Sequence, residues 1–494
     1  MHIAWHKLLP TPTWLRLAIV PVLAFLATVT DRNYLADFWH HLARGRAIVE
    51  QNEIVNHDQF TFTVAGQPFQ DVNWLTQVGY YILFDAGGLT LVQLVNSLLI
   101  AVTMLLLVQL CRRRSGSLLA AAIAGGVAFF GLWEVLTIRP QTLSMLLFVN
   151  VLDLLERSER RPWLLFCLPP LVALWANLHG AFPAGIILIG CFTVVAVWRA
   201  RDRRAATLAI WLIVCILATC INPYGWTIYR YVGGTSAIAY QRQIAEWVRP
   251  GPDRLIGLVW MASATMVFGL LGWRWLRSRQ VPALRDALLL ACFFALSCGS
   301  VRMVAWWMLV SAPVFAELLV WLAPQLAAPQ EDAEQPSLVV GGVFALVSLA
   351  VVFSLPGLDR YNPLLGPTRR GQRVEEDLEI MHRQLGTPGN VYSHFEWGEY
   401  LSWSMPPKHK IFMDGRIEIY PDEVWQKYAK VTSGGDGWNK ILADYGVDYL
   451  ILDVDYHGKS GLLQRVEASP DWRREGQSRN AILYVRKAGS LVAH

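Results

Sequence analysis

The run Leu89-Thr-Leu-Val-Gln-Leu-Val-Asn-Ser-Leu-Leu-Ile-Ala-Val-Thr-Met-Leu-Leu-Leu-Val-Gln-Leu110, closed by Cys111-Arg112-Arg113-Arg114, sets the class of this chain. A helix needs about 20 apolar residues to cross the hydrocarbon core of a bilayer, and this run has that length. The arginine triplet directly behind it is what the cytoplasmic end of a span carries. Working outward, similar apolar runs cover 14–30, 117–134, 141–156, 163–178, 182–198, 205–221, 255–273, 283–300, 303–323 and 337–355, about 11 spans in all. Several are short and carry a charge near one end: Arg16, Asp153, Arg285 and Glu317.

The composition agrees. Of 494 residues 54% are hydrophobic and 16% charged, with a mean hydropathy of +0.34, whereas an ordinary soluble domain has about 25% charged residues. A plain cytosolic enzyme and a disordered or fibrous chain are excluded. The net charge of +5 is spread over short clusters between apolar runs and forms no continuous basic face. Nucleic acid is therefore not an expected partner. The seven cysteines lie in or beside apolar segments without metal-ligand spacing, so buried thiols and no disulfide framework are expected.

Orientation follows from the basic residues. Arg112-Arg113-Arg114, Arg157 to Arg161, Arg199 to Arg204 and Arg274 to Arg279 fall in alternate connections. Placing them inside predicts a cytoplasmic N-terminus and a C-terminus outside. The first apolar run lacks a small-residue cleavage site and reads as a retained helix. Outside then lie a long loop, 31–88, a turn at Arg139-Pro140-Gln141, a turn at Asn177-Leu178-His179-Gly180 and a loop at 222–254. The acidic, Pro- and Ala-containing stretch 324–336 reads as a cytoplasmic linker. Residues 1–356 are thus expected to form a transmembrane helical domain, and 357–494 a C-terminal extracytoplasmic domain. In the latter, short strands are expected at Gly389-Asn-Val-Tyr392, Lys410-Ile-Phe-Met413, Val447 to Leu452 and Ala481 to Val485. Helical patterns near 373–385, 422–430 and 437–445 separate them, which gives a small α/β fold with much of its sheet buried on both faces.

The outer loop 31–88 holds the densest chemistry. Asp37, His41 and Arg44 recur at spacings of four and three and would share one face of a helix. Phe38, Trp39 and Leu42 would cover the other side and suit the membrane interface. A carboxylate held there can serve as a general base toward a substrate whose lipid tail stays in the bilayer; an ordinary juxtamembrane helix would show the same spacing. His40, His41, His57 and Asp58, with Asp37 or Asp71, leave a divalent metal ion open, although no tight motif such as HExxH specifies one. Arg139 at a span end and Arg302 in a very short connection are charges at a depth where they are costly. A guanidinium there matches the paired acceptors of a phosphate. His179 forms a polar spot at another span end, and Glu246 is a second outer carboxylate. In the C-terminal domain Glu396-Trp-Gly-Glu399-Tyr and Asp414-Gly-Arg416 stand out, with Asp414-Gly415 read as a turn. No nucleotide-binding loop or serine-nucleophile elbow is present, so energy must come from an activated substrate or a gradient.

Asp37-Phe-Trp-His-His-Leu-Ala-Arg-Gly45, Asp58-Gln-Phe-Thr-Phe-Thr63 and Asn73-Trp74-Leu75 resemble the first outer loop of bacterial GT-C-type membrane glycosyltransferases. The similar groups are the protein O-mannosyltransferases and the aminoarabinose and oligosaccharyl transferases. Arg139-Pro-Gln, Asn177-Leu-His-Gly, Asn222-Pro-Tyr-Gly-Trp226 and Asp414-Gly-Arg look like marks of a bacterial branch of that class, and the resemblance spans nearly the whole chain. It implies an acidic residue acting in the first outer loop, for which Asp37 is the match. It also implies a polyprenyl-phosphate-linked sugar as donor, and a glycan, lipid or protein hydroxyl as acceptor. The site would then comprise Asp37 as base with His41, Arg44, Asp58, Asp71, Arg139, His179, Glu246 and Arg302 as substrate contacts. A single displacement implies inversion at the anomeric carbon. The location implied is the bacterial cytoplasmic membrane. The mannosyltransferases have an Asp-Glu pair where this chain has Asp37-Phe38, which separates it from them. A lipid-linked-glycan flippase and a non-catalytic scaffold for glycan assembly are the alternatives.

Overall fold

The computed structural model describes residues 12–30, 36–199, 203–242, 244, 246–327, 338–355, 357–358 and 370–487. Most of the expected linker, 328–336, and part of the basic cluster, 200–202, lie outside them. The chain divides into two compact units. One comprises Met1–Asp31, Leu83–Gly233 and Ala239–Leu365; the other comprises Arg32–Ile82, Gly234–Ile238 and Gly366–His494.

The first unit is helical, and each of the eleven apolar runs is a helix. They are Pro12–Val29, the part of Trp74–Ser115 beyond Gly88, Leu118–Leu132, Gln141–Arg157, Leu168–Leu178, Pro183–Arg199, Arg203–Ala218, Leu255–Ser278, Leu284–Gly299, Val304–Leu322 and Leu338–Val352. Among the described residues four helical stretches are long and apolar enough to cross a membrane: Trp74–Ser115, Leu118–Val135, Leu255–Ser278 and Val301–Leu322. Trp74–Ser115 starts well before the apolar run that announces it. Its backbone leaves helical geometry at Gly87 and Gly88, the latter at φ +63°, a value that glycine adopts without steric cost.

Val304–Leu322 is buried almost all round, as expected for a helix that is apolar on every face. It packs closely on Leu118–Leu132, where a Cβ at Gly131 would overlap Met308. Phe148 meets Phe293 and Trp306 at centroid distances of 5.3 and 5.0 Å. At one end of these helices Arg114 meets three carboxylates from three other helices. It reaches Asp286 and Glu317 at 2.7 Å and Glu156 at 3.3 Å.

The second unit is built on a five-stranded sheet. Its strands are β1 (Gly389–Ser393), β2 (His409–Ile411), β3 (Val447–Asp453), β4 (Trp472–Gln477) and β5 (Ala481–Arg486), in the order β2-β1-β3-β5-β4. β1 is parallel to β2 and β3, and β5 is antiparallel to β3 and β4. The central strands are buried on both faces, and the sequence Val447-Asp-Tyr-Leu-Ile-Leu452 supplies that run. β4, Trp-Arg-Arg-Glu-Gly-Gln, does not read as a strand from its apolar content. It lies at the sheet edge with most of its side chains solvated, and charge there blocks further pairing.

At the other edge the first loop itself extends the sheet. Phe62 N–H donates to the Ile411 carbonyl at 3.1 Å and Ile411 N–H to the Phe60 carbonyl at 3.3 Å, while the Thr63 hydroxyl donates to the Phe412 carbonyl at 2.6 Å. Val55, Val64 and Phe69 share a core with Phe412, Leu450 and Ile482. Residues of the expected outer loop and of the C-terminal domain therefore fold around one core.

Candidate functional site

In the sheet unit the catalytic candidate Asp37 lies in the first turn of the helix Ala36–Gln51. The N-terminal end of a helix carries unpaired N–H groups and a partial positive charge, which favours a carboxylate there. Asp37 itself is half-buried, and the rest of the helix is fixed from several sides. Trp39 Nε1 donates to Glu375 at 2.7 Å, and its ring meets Tyr400 edge-on at 5.0 Å. Arg46 lies 4.2 Å over the Trp403 ring and donates to the Trp403 carbonyl at 2.9 Å. Phe38 packs on Tyr80. Phe38, Trp39 and Leu42 are thus buried in this unit, where Tyr80 and Tyr400 of the helix Phe395–Ser404 pack on the aromatic pair. Gly45 is required by close packing, since a Cβ there would overlap the Gln77 carbonyl.

The motifs singled out in the sequence converge here. His40 Nδ1 contacts Glu399. Glu399 also accepts the Gly415 N–H at 2.6 Å. Burial pushes its carboxyl up to about 7, with His40 opposing the rise and Asp414 and Asp37 adding to it. The glycines of both motifs serve this contact: a Cβ at Gly415 would overlap Glu399, and one at Gly398 would overlap the Met413 carbonyl. Asp414 does close a turn, accepting the Arg416 N–H at 3.0 Å. Gly415, however, follows from the approach of Glu399.

Arg416 binds both Asp414, at 2.6 and 2.8 Å, and Asp58. Burial alone would raise the Asp414 carboxyl, but the Arg416 guanidinium overrides it and holds it at about 2. Asp58 further accepts the N–H and hydroxyl of Thr61 at 3.0 and 2.7 Å, which explains the Asp-Gln-Phe-Thr motif. Arg44 stands 3.4 Å from Asp71 and 4.7 Å over the Phe69 ring; Arg416 lies 5.4 Å from the same ring. Gln77 joins Asp71 at 2.8 Å to His41 Nδ1 at 3.2 Å.

His41, Arg44, Asp58 and Asp71 are all buried and hold the Asp37 helix in place. Glu399, Asp414 and Arg416 complete the cluster. Sequence reading marks their motifs without assigning them to it, and the signal was the glycine inside each one. His57 is exposed beside Asn56 and Gln59. Among the described residues no group of three or more His, Cys, Asp or Glu is placed to hold a metal ion.

The helical unit brings together a second set. Arg139 contacts one oxygen of Glu246, and Arg302 reaches the other at 3.6 Å. Arg302 is the middle residue of the turn Val301–Met303 ahead of Val304–Leu322, where the Ser300 hydroxyl accepts its N–H at 3.2 Å. All three charged side chains are partly open to solvent. His179 is buried, 2.7 Å from the Ser144 hydroxyl, which also accepts Trp175 Nε1 at 2.6 Å. Asn222-Pro-Tyr-Gly225 is a self-capped turn: Asn222 accepts the Tyr224 N–H at 2.7 Å and donates to the Gly225 carbonyl at 3.0 Å.

The fold of this chain is similar to that of solved GT-C membrane glycosyltransferases. Solved structures of that class superpose on nearly the whole chain. The apo oligosaccharyltransferase of Archaeoglobus fulgidus matches with a TM-score of 0.55 at 12% identity, over 97% of this chain and 75% of its own. ArnT from Cupriavidus metallidurans, in the apo state, matches with a TM-score of 0.54 at 16% identity, over 97% of this chain and 99% of its own. The mycobacterial arabinofuranosyltransferase AftD matches with a TM-score of 0.55 at 16% identity, over 95% of this chain and 41% of its own. No protein-family profile matches the chain, and no curated protein does. At these identities the likeness defines the fold.

Proposed function

We propose that this chain is a membrane glycosyltransferase that moves a sugar from a polyprenyl-phosphate-linked donor to an acceptor hydroxyl on the outer face of a bacterial cytoplasmic membrane, with inversion. The observation that carries the reading is the setting of Asp37, a half-buried carboxylate in the first turn of a helix whose neighbouring side chains are locked by buried pairs. Such fixation is what a general base needs, because its oxygen must stay within hydrogen-bond reach of the proton it takes.

In the reaction the acceptor oxygen bonds to the anomeric carbon as its proton passes to Asp37. The bond from that carbon to the phosphate oxygen breaks, and its electron pair leaves with the polyprenyl phosphate. The helical unit by itself offers Arg139 and Arg302 as cationic donors for a lipid phosphate. A dolichol-phosphate is named in a second structure of the archaeal oligosaccharyltransferase, which matches this chain with a TM-score of 0.54 and supports a lipid phosphate as ligand for the fold. The basic clusters support a cytoplasmic N-terminus and an outer sheet unit.

The test is transfer or release of labelled sugar from a panel of polyprenyl-phosphate sugars by purified wild-type and Asp37→Asn protein in lipid. Loss of a single general base costs about 100- to 10,000-fold. Full activity in a folded Asp37→Asn protein would remove the base from the mechanism. Neither turnover nor donor binding across the panel would favour a carrier or scaffold of lipid-linked glycans.

A further inference from the structure

We propose that Gln141 and His179 form an uncharged hydrogen-bonding subsite that holds a hydroxyl of the donor's sugar. The inference rests on the reading that Arg139 and Arg302 receive the lipid phosphate, since the sugar adjoins that phosphate in the donor. Gln141 opens the helix Gln141–Arg157 directly after Arg139-Pro140. It is 3% exposed, and its amide nitrogen has no hydrogen-bond partner among the described residues. Buried polar groups are almost always paired, so one left open two residues from Arg139 is a place for a ligand atom.

His179 serves the same face. Ser144 stands one turn beyond Gln141; residues three apart share a helix face, and their side chains lean toward the N-terminus. The Ser144 hydroxyl lies 2.7 Å from His179 Nδ1 and 2.6 Å from Trp175 Nε1. An indole nitrogen only donates, so the Ser144 oxygen accepts from Trp175 and donates its own proton to His179 Nδ1. The ring's single proton is then on Nε2, where none of the described residues takes it. Burial, with Arg302 adding to it, pushes the imidazole down to about 3, so the ring is neutral at ordinary pH. Gln141 and His179 together offer N–H donors and one amide oxygen without a charge. That set suits a hydroxyl, which accepts from one group and donates to the other, whereas a phosphate is better met by guanidiniums.

The experiment uses the full chain in nanodiscs and polyprenyl phosphodiesters of one chain length, ending in a methyl group or in glucose, galactose, mannose or arabinose. All carry the same charge, so the ratio of methyl-lipid to sugar-lipid Kd isolates the sugar. Wild type is expected to bind at least one sugar lipid more tightly than the methyl lipid. Gln141→Leu and His179→Phe should each reduce that ratio by about tenfold, the effect of a hydrogen bond lost in a buried site, and leave the methyl lipid bound as before. Gln141→Leu replaces an unpaired buried amide by an apolar group of similar size, so it should melt no lower than wild type.

Equal binding of every lipid by wild type overturns the proposal. So does an unchanged ratio in folded Gln141→Leu; where both kinds of lipid weaken together, the residue belongs to the phosphate site instead. In each of these cases the donor-site reading stands. If wild type binds none of the lipids, that reading fails and takes this inference with it.

Discussion

Replacing Glu399 by Gln tests whether the cluster beneath Asp37 is an electrostatic device or simple packing. Glu399 is buried, and its carboxyl is pushed up to about 7 from an ordinary 4.5, by burial first and with His40 opposing. A carboxyl whose folded pKa is raised is harder to ionise in the native state than in the unfolded one. Its penalty is absent below about pH 4.5, grows as pH rises, and is complete above about pH 7. The interval of about 2.5 pH units corresponds to about 3 kcal/mol. Gln resembles the protonated acid, since it can accept the Gly415 N–H and turn a donor toward His40 Nδ1. At pH 4 wild type and Glu399→Gln should therefore melt together. At pH 8 the variant should melt higher by roughly 2–4 °C per kcal/mol for a domain of this size. The assay is thermal unfolding of both proteins in one detergent across that range. A difference between the two that does not change with pH would refute the reasoning.

Arg416→Met removes the guanidinium shared by two buried carboxylates, Asp58 and Asp414, and should cost about 3–5 kcal/mol in a denaturant melt. Because Arg416 holds Asp414 at about 2 from an ordinary 3.8, the stability from that carboxylate is complete above pH 3.8 and lost as pH falls through 2. Wild type should therefore shed it on acidification and Arg416→Met should not. Gly415→Ala forces a methyl group against Glu399; about 1–3 kcal/mol of overpacking strain is expected, seen as a lowered melting temperature. Arg114→Leu strands Glu156, Asp286 and Glu317 at one end of the helical unit. A loss of about 3–5 kcal/mol should appear as a lower yield of monodisperse protein and faster thermal inactivation.

The sequence by itself determined the helices of the first unit and the central strands of the second. Each apolar run from 14–30 to 337–355 is long enough to be a helix on its own account. In a span every backbone N–H and C=O is satisfied within the segment, so composition and length suffice. Val447 to Leu452 and Ala481 to Val485 are likewise unbroken apolar runs, and the sheet buries them. β4 and the helix Phe395–Ser404 carry no such run, because one lies at an exposed edge and the other packs by single residues such as Trp397 and Glu399.

Only the tertiary structure decided what the polar motifs do. Asp58, Glu399 and Arg416 stand hundreds of residues apart in part, and nothing in their local spacing states that they share one buried site. Spacing suggested that Asp37, His41 and Arg44 act as one face. The helix Ala36–Gln51 carries all three at that spacing, with Asp37 half-buried and His41 and Arg44 buried. The fold turned Glu246 from a loop acid into the partner of two arginines. The physical reason is one of range: hydrophobic periodicity acts along neighbouring residues, whereas the pairing of buried charges depends on which surfaces the chain brings together. A charge can be taken out of water only where such a partner is waiting.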